Sequence, residues 1–143
     1  QDFVQTLLAV RRIFEPATAA LAAQVASAES LAAVAEAYGR MERATTPEEL
    51  LEPDLAFHRR IAEATGNDLL AYIGNMLSLA LRESIQLSSQ LPGTHALSLP
   101  RHKAILTALQ NRDPLSARQA TLVQLEGTRD DLSQVLHTGI AAA

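Results

Sequence analysis

Asp54-Leu55-Ala56-Phe57-His58-Arg59-Arg60-Ile61-Ala62-Glu63-Ala64-Thr65-Gly66-Asn67 is the stretch on which the reading of the whole chain turns. Leu50, Phe57, Ile61 and Ala62 recur at helical spacing, and Gly66-Asn67 supplies a helix stop and restart. Asp54 and His58 are four residues apart, so on a helix they share one face, one turn apart. A carboxylate and an imidazole at that spacing form half of a metal site. The same pattern also arises as a surface pair or as a satisfied buried hydrogen bond, and spacing alone leaves these alternatives open.

The chain around this segment reads as helix throughout. Upstream, Thr46-Pro47-Glu48-Glu49 is a start signal: Thr46 as N-cap, Pro47 at the first helical position, Glu49 closing a capping box. Pro53 is expected to bend this helix just before Asp54. A first helix is expected from about Phe3 to Val25, with Leu7, Leu8, Val10, Phe14, Ala17 and Leu21 as its apolar positions and Pro16 as a kink or junction. After a break at Ser27–Ser30, a second runs from about Ser30 to Arg43 on Leu31, Val34, Ala35, Tyr38 and Met41. A fourth, from about Asp68 to Ser89, carries Leu70, Ile73, Leu77, Leu81 and Ile85. Ser88–Gly93 reads as a loop, and a fifth helix is expected from about Leu99 to Asn111. Asp113-Pro114 opens a sixth that reaches about His137, and Thr138–Ala143 is a small-residue tail expected to fray.

Composition supports this all-α reading. Of 143 residues, 48% are hydrophobic and only 3% aromatic, which favours close-packed helices over strands. The length suits one domain, 1–143, with a core of its own, and no repeat or linker divides it. No cysteine is present, so disulfide frameworks and thiolate metal sites are excluded; this fits a reducing compartment, and a cytoplasmic location is expected. The net charge is -4, and the only basic pairs are Arg11-Arg12 and Arg59-Arg60, too short to neutralise a run of phosphates. No apolar run approaches the roughly 20 residues that span a bilayer, so no membrane partner is expected. The chain starts at Gln1 without a signal-peptide pattern, and we expect residues upstream of it.

Further candidate residues follow from helix geometry. His102 lies eleven residues before Asp113 and Gln124 eleven after it, so in an antiparallel pair both stand roughly 16 Å from the turn and can face each other. Asp54, His58 and His102 are three candidate ligands for a divalent metal: zinc, with nickel, manganese or iron as alternatives. Such a set leaves coordination positions open for water or an anion. Arg11 and Arg12 lie near Glu15, either as a solvated pair or with a guanidinium directed into a cavity to take a carboxylate. Asn75, Ser78, Arg82 and Gln86 step along the fourth helix at three- and four-residue spacing, either lining a pocket or forming the exposed stripe of an amphipathic helix. His95 and His137 have no partner at informative spacing and read as exposed. No nucleophile motif, phosphate loop or His-Glu-x-x-His signature is present.

Taken together, Val10-Arg11-Arg12-Ile13-Phe14-Glu15-Pro16-Ala17, the Asp54–Asn67 segment, Arg101-His102-Lys103-Ala104-Ile105-Leu106, Asn111-Arg112-Asp113-Pro114 and Ala117-Arg118 resemble the FCD effector-binding domain. This is the C-terminal domain of FadR-subfamily, GntR-type bacterial transcription regulators. The resemblance implies an antiparallel bundle of six to seven helices enclosing a cavity. It also implies a metal, often zinc, held by an Asp and up to three His: here Asp54, His58 and His102, with Gln124 where the fourth ligand would stand. Implied effectors are small carboxylates, and similarity to the sugar-acid branch, which pairs a first-helix with a fourth-helix arginine, points to an aldonate held by Arg11, Arg82, Asn75 and Gln86. A homodimer is implied, with DNA bound only through a winged helix-turn-helix domain outside this chain. Two readings compete with this one: a metal-dependent enzyme on a helical bundle, and a helical dimerisation module without ligand.

Overall fold

A computed structural model describes residues 2–138, and the tail from 139 onward lies outside the described residues. The described chain is six helices without a strand: α1 (Asp2–Val25), α2 (Ala28–Arg43), α3 (Pro47–Glu63), α4 (Asp68–Ser88), α5 (Thr94–Gln110) and α6 (Pro114–Thr138). None of them is long and apolar enough to cross a membrane.

Local chemistry sets the helix ends. The Ser27 hydroxyl accepts from the Ser30 amide at 3.0 Å, so α2 starts two residues earlier than its apolar pattern implied. Thr46 caps α3 by accepting from the Glu49 amide at 3.1 Å. Glu49 reaches back to the amide of Thr45 at 2.8 Å, closing the expected box one residue upstream of the cap. Gly66 adopts φ +68, the left-handed turn that ends α3, and the Asn67 side chain then caps α4 through the amides of Leu69 and Leu70. Asp113 caps α6 by accepting from the Ser116 amide at 3.1 Å.

The three interior prolines do not end their helices. α1 is continuous through Pro16, α3 through Pro53 and α5 through Pro100. α5 begins at Thr94, five residues before the expected Leu99, because Gly93 with φ +83 turns the chain directly into it. That early start adds the turn carrying His95 and Ser98.

α1 packs along α6, α6 along α5, α5 against α2, α2 along α3 and α3 along α4, with α1 also touching α3, α4 and α5. Short connections make α2–α3, α3–α4 and α5–α6 antiparallel neighbours. The larger core cluster joins Ala19, Ala22 and Ala23 of α1 to Val34 and Met41 of α2, Phe57 of α3 and Ile105 and Leu109 of α5. The alanines let α1 approach closely. A smaller cluster holds Leu7, Leu55, Leu81 and Ile85. On α1 the inward face differs from the apolar pattern: Val10 and Ala17 are exposed, while Leu7, Leu8, Arg11 and Thr18 are buried.

Candidate metal and effector site

α3 is buried from Pro53 through Phe57, so its polar members enter the core with its apolar ones. Asp54 Oδ1 lies 3.2 Å from His58 Nε2 and 3.5 Å from His102 Nε2. Asp54 is 7% exposed and His102 1%. Among the described residues these three form the one group of His, Asp, Glu or Cys able to hold a metal ion, with one ligand atom of each within 4.8 Å of the others. Bonds of about 2.1 Å at tetrahedral angles set ligand atoms roughly 3.4 Å apart, which the two separations from Asp54 match.

The outer face of each imidazole is taken. His58 Nδ1 stands 3.2 Å from Glu15 Oε1, and Glu15 in turn accepts from Arg11 Nε at 2.5 Å and Nη2 at 3.2 Å. His102 Nδ1 stands 2.9 Å from the Ser98 carbonyl, to which it can only donate. Both rings therefore turn Nε2 towards Asp54, the tautomer and orientation that a carboxylate- or carbonyl-backed metal ligand needs. Phe57 meets both rings edge-on, at centroid distances of 5.7 Å for His58 and 5.1 Å for His102, and walls the group from the core. Asp54 Oδ1 and His102 Nε2 are buried without a hydrogen bond inside the protein, although they face each other. A shared cation satisfies both atoms, so the donor set fits a divalent metal such as zinc.

Electrostatics follow from the same contacts. Burial opposes charge on Asp54, but His102 and His58 hold its carboxyl far below the usual carboxylate range. Burial likewise opposes a charged His58, yet the neighbouring Asp54 and Glu15 carboxylates prevail and raise it to about 9. Glu15 resists burial through Arg11 and His58 and is lowered to about 2.

The group opens onto a narrow cavity of about 20 Å³, whose lining includes Arg11, Asp54, His58, His95, Gln124 and Asp131. That is room for about one water. Leu50, Ser89 and His95 also line an outer pocket of about 240 Å³ between the start of α3 and the α4–α5 turn. Gln124 is buried on α6 and lines the narrow cavity together with Asp54 and His58. Its Nε2 donates to the Thr128 hydroxyl at 2.9 Å.

The structure departs from the expected ligand set in three places. Arg11 is 2% exposed and faces the cavity while paired with Glu15, so the ion pair is present but on a buried face. Asn75, Arg82 and Gln86 are not brought to the cavity: all three are exposed, and Arg82 reaches Glu52 at 2.7 Å across the surface. α4 turns Gly74, Ser78, Leu81 and Ile85 inward, so of that stripe only Ser78 is buried. His95, expected to be exposed, is half-buried in the cavity wall because α5 begins earlier; His137 is exposed, as expected. Sequence reasoning also missed Asp131, which lines the cavity and accepts from Arg101 Nη2 at 3.0 Å. Gly127 is the signal for it, since any side chain there would collide with the Arg101 guanidinium as it crosses α6.

An all-helical bundle with a buried two-histidine, one-carboxylate group above a cavity defines a ligand-binding domain. Residues 6–127 match the FCD domain family, and the chain belongs to it: the effector-binding regulatory domain of GntR-type transcription regulators, which are not enzymes. It is 31% identical over 140 residues to the HTH-type transcriptional regulator LutR of Bacillus subtilis, covering 93% of this chain and 64% of that protein. It is 25% identical over 138 residues to the galactonate operon transcriptional repressor of Escherichia coli, covering 92% of this chain and 58% of the repressor. The chain thus spans about three fifths of the length of these relatives. Its fold is shared with a Streptococcus agalactiae GntR structure (TM-score 0.77, 22% identity, 90% of this chain and 59% of that one). It is also shared with E. coli McbR/YncC (TM-score 0.74, 15% identity, 94% and 65%).

Proposed function

We propose that this domain senses a small carboxylate, a hydroxy acid or a sugar acid such as an aldonate, at a metal-assisted site built on Asp54, His58 and His102. The observation that carries the reading is the orientation of the two imidazoles. Each has its Nδ1 engaged by a backing group and its Nε2 directed at a buried carboxylate, beside a cavity with an arginine in its wall. Zinc is the leading metal, with nickel, manganese or iron as alternatives; when bound, it supplies a Lewis-acidic centre for an anionic oxygen. Arg11 spends Nε and Nη2 on Glu15 and keeps further N–H donors for the acid. The galactonate repressor among the relatives supports a sugar acid.

The deep cavity holds about one water, so an effector of several carbons must move its wall. Leu50, Ser89 and His95 form that wall; Ser89 stands in the α4–α5 turn and His95 in the first turn of α5 that follows it. Displacement of this turn is how occupancy would reach the rest of a regulator, coupling two sites through one bundle. We place a winged helix-turn-helix domain ahead of this chain and DNA binding in that domain, within a cytoplasmic homodimer. Leu69, Tyr72, Met76 and Leu79 repeat at helical spacing on α4 and are all exposed, a stripe suited to the dimer contact.

A thermal-shift screen of small carboxylates and aldonates, run as purified and after chelation, tests the reading. A ligand at a hundredfold excess over its Kd raises stability by about 2.7 kcal/mol. A shift that disappears with chelator, and in Asp54→Ala and His102→Ala, is expected. No shift with any acid and no response to chelator would leave only a dimerisation module.

A further inference from the structure

Gln124 stands where the family resemblance would put a fourth metal ligand, but its surroundings give it different work. Among the described residues, the buried side-chain atoms without a hydrogen-bond partner are Arg40 Nε, Asp54 Oδ1, His95 Nδ1, Arg101 Nε, His102 Nε2 and Gln124 Oε1. Arg40 Nε faces Glu36 at 3.0 Å, while Arg101 pairs with Asp131 through Nη2, and neither arginine is in the cavity lining. Asp54 and His102 belong to the metal group. His95 Nδ1 and Gln124 Oε1 remain, and both residues line the same cavity beside that group.

The chemistry of Gln124 is directional. Its Nε2 donates to the Thr128 hydroxyl, and the atom without a partner is the carbonyl oxygen, which only accepts. Gln124 is 4% exposed, and an unpaired acceptor at that depth is costly. A carboxylate oxygen brings no proton and is repelled there, whereas a hydroxyl donates. We propose that Gln124 Oε1 reads a hydroxyl on the effector, next to the carboxylate that the metal group takes, and that His95 Nδ1 holds a second polar group at the cavity wall. Gln124 is then a specificity residue rather than a metal ligand. The site selects acids carrying a hydroxyl donor over otherwise identical acids lacking one. This rests on the proposed effector function above.

The test uses the zinc-loaded chain and pairs of acids that differ by the hydroxyl next to the carboxylate: lactate against propionate, malate against succinate, galactonate against 2-deoxygalactonate. Calorimetric titration of the wild-type chain is expected to show the hydroxylated member of the bound pair tighter by about tenfold or more. In Gln124→Leu that ratio is expected to fall below about threefold, while Gln124→Glu, which keeps an acceptor, retains a preference for the hydroxylated acid. Zinc affinity of Gln124→Leu, read by competition with a chelating dye, is expected to stay within about threefold of wild type. Gln124→His, by contrast, tightens zinc and weakens the acid. A loss of zinc affinity in Gln124→Leu, or a hydroxyl preference that survives in it, would overturn the assignment. Equal wild-type affinity for both members of a bound pair would overturn it without any variant, should Gln124→Leu fail to fold. That last result leaves the metal-assisted effector site standing; binding of none of the acids removes the effector function itself.

Discussion

α3 and α4 each carry polar residues at helical steps, and the two sets meet opposite fates. On α3, Asp54 and His58 lie among the buried Leu50, Leu55, Phe57 and Ile61, so helix packing carries them inside. On α4, Asn75, Arg82 and Gln86 lie one position round the helix from the buried Gly74, Leu81 and Ile85 and are left exposed. Spacing alone does not distinguish a site from a solvated stripe. What does is whether apolar side chains surround the polar ones, because a buried charge persists only with partners to offset its desolvation. Asp54 has two imidazoles; Arg82 has one exposed glutamate and surrounding water.

The contrast can be broken most severely at Asp54. Replacing it with alanine removes the oxygen that both imidazoles face, and zinc affinity measured by chelator competition is expected to fall by more than about hundredfold, beyond the usual effect of losing an outer partner. Glu15→Gln leaves all three candidate ligands in place but weakens the group that orients His58. Zinc affinity is then expected to drop by about 10- to 100-fold, in line with other outer-shell changes.

A pH series on the chelated protein sharpens the comparison further. His58 sits at about 9 in the fold against its ordinary 6.5, so its stabilising contribution is complete below 6.5 and is lost as the pH rises through 9. Glu15, lowered from 4.5 to about 2, contributes above 4.5 and loses that contribution as the pH falls through 2. The unfolding free energy from urea titrations should therefore decline between pH 7 and 10 by an amount on the order of 2 kcal/mol, and Asp54→Ala should flatten that limb. Zinc takes the nitrogen that the proton otherwise occupies, so its affinity should rise with pH over the same interval.

The smallest effect belongs to α4. Arg82→Ala breaks an exposed ion pair and is expected to change stability by under about 1 kcal/mol and to leave zinc affinity unaltered. A large loss of effector binding in that variant would return the fourth-helix arginine to the site and erase the distinction drawn between the two helices.

Much of the site could be read before folding. The Asp54–His58 spacing, His102 placed against the Asp113 turn, and the family resemblance together named the three candidate ligands that the structure brings within reach of one another. The hidden residues were those whose roles depend on a neighbour distant in sequence. Glu15 backs His58 from another helix. Ser98 backs His102 only because α5 begins five residues earlier than its apolar pattern suggested. His95 enters the cavity wall for the same reason.

By itself, the sequence determined that the chain is helical, where most helices start and stop, and which groups can bind a cation. Those properties depend on local propensity, capping hydroxyls and residue chemistry, all encoded within a few positions. The tertiary structure decided which polar faces are dry. It buried Arg11 against Glu15, turned Arg82 outward, and left Gln124 with a free acceptor beside the metal group. Each depends on which helix lies across from which, and so on the packing of the whole bundle.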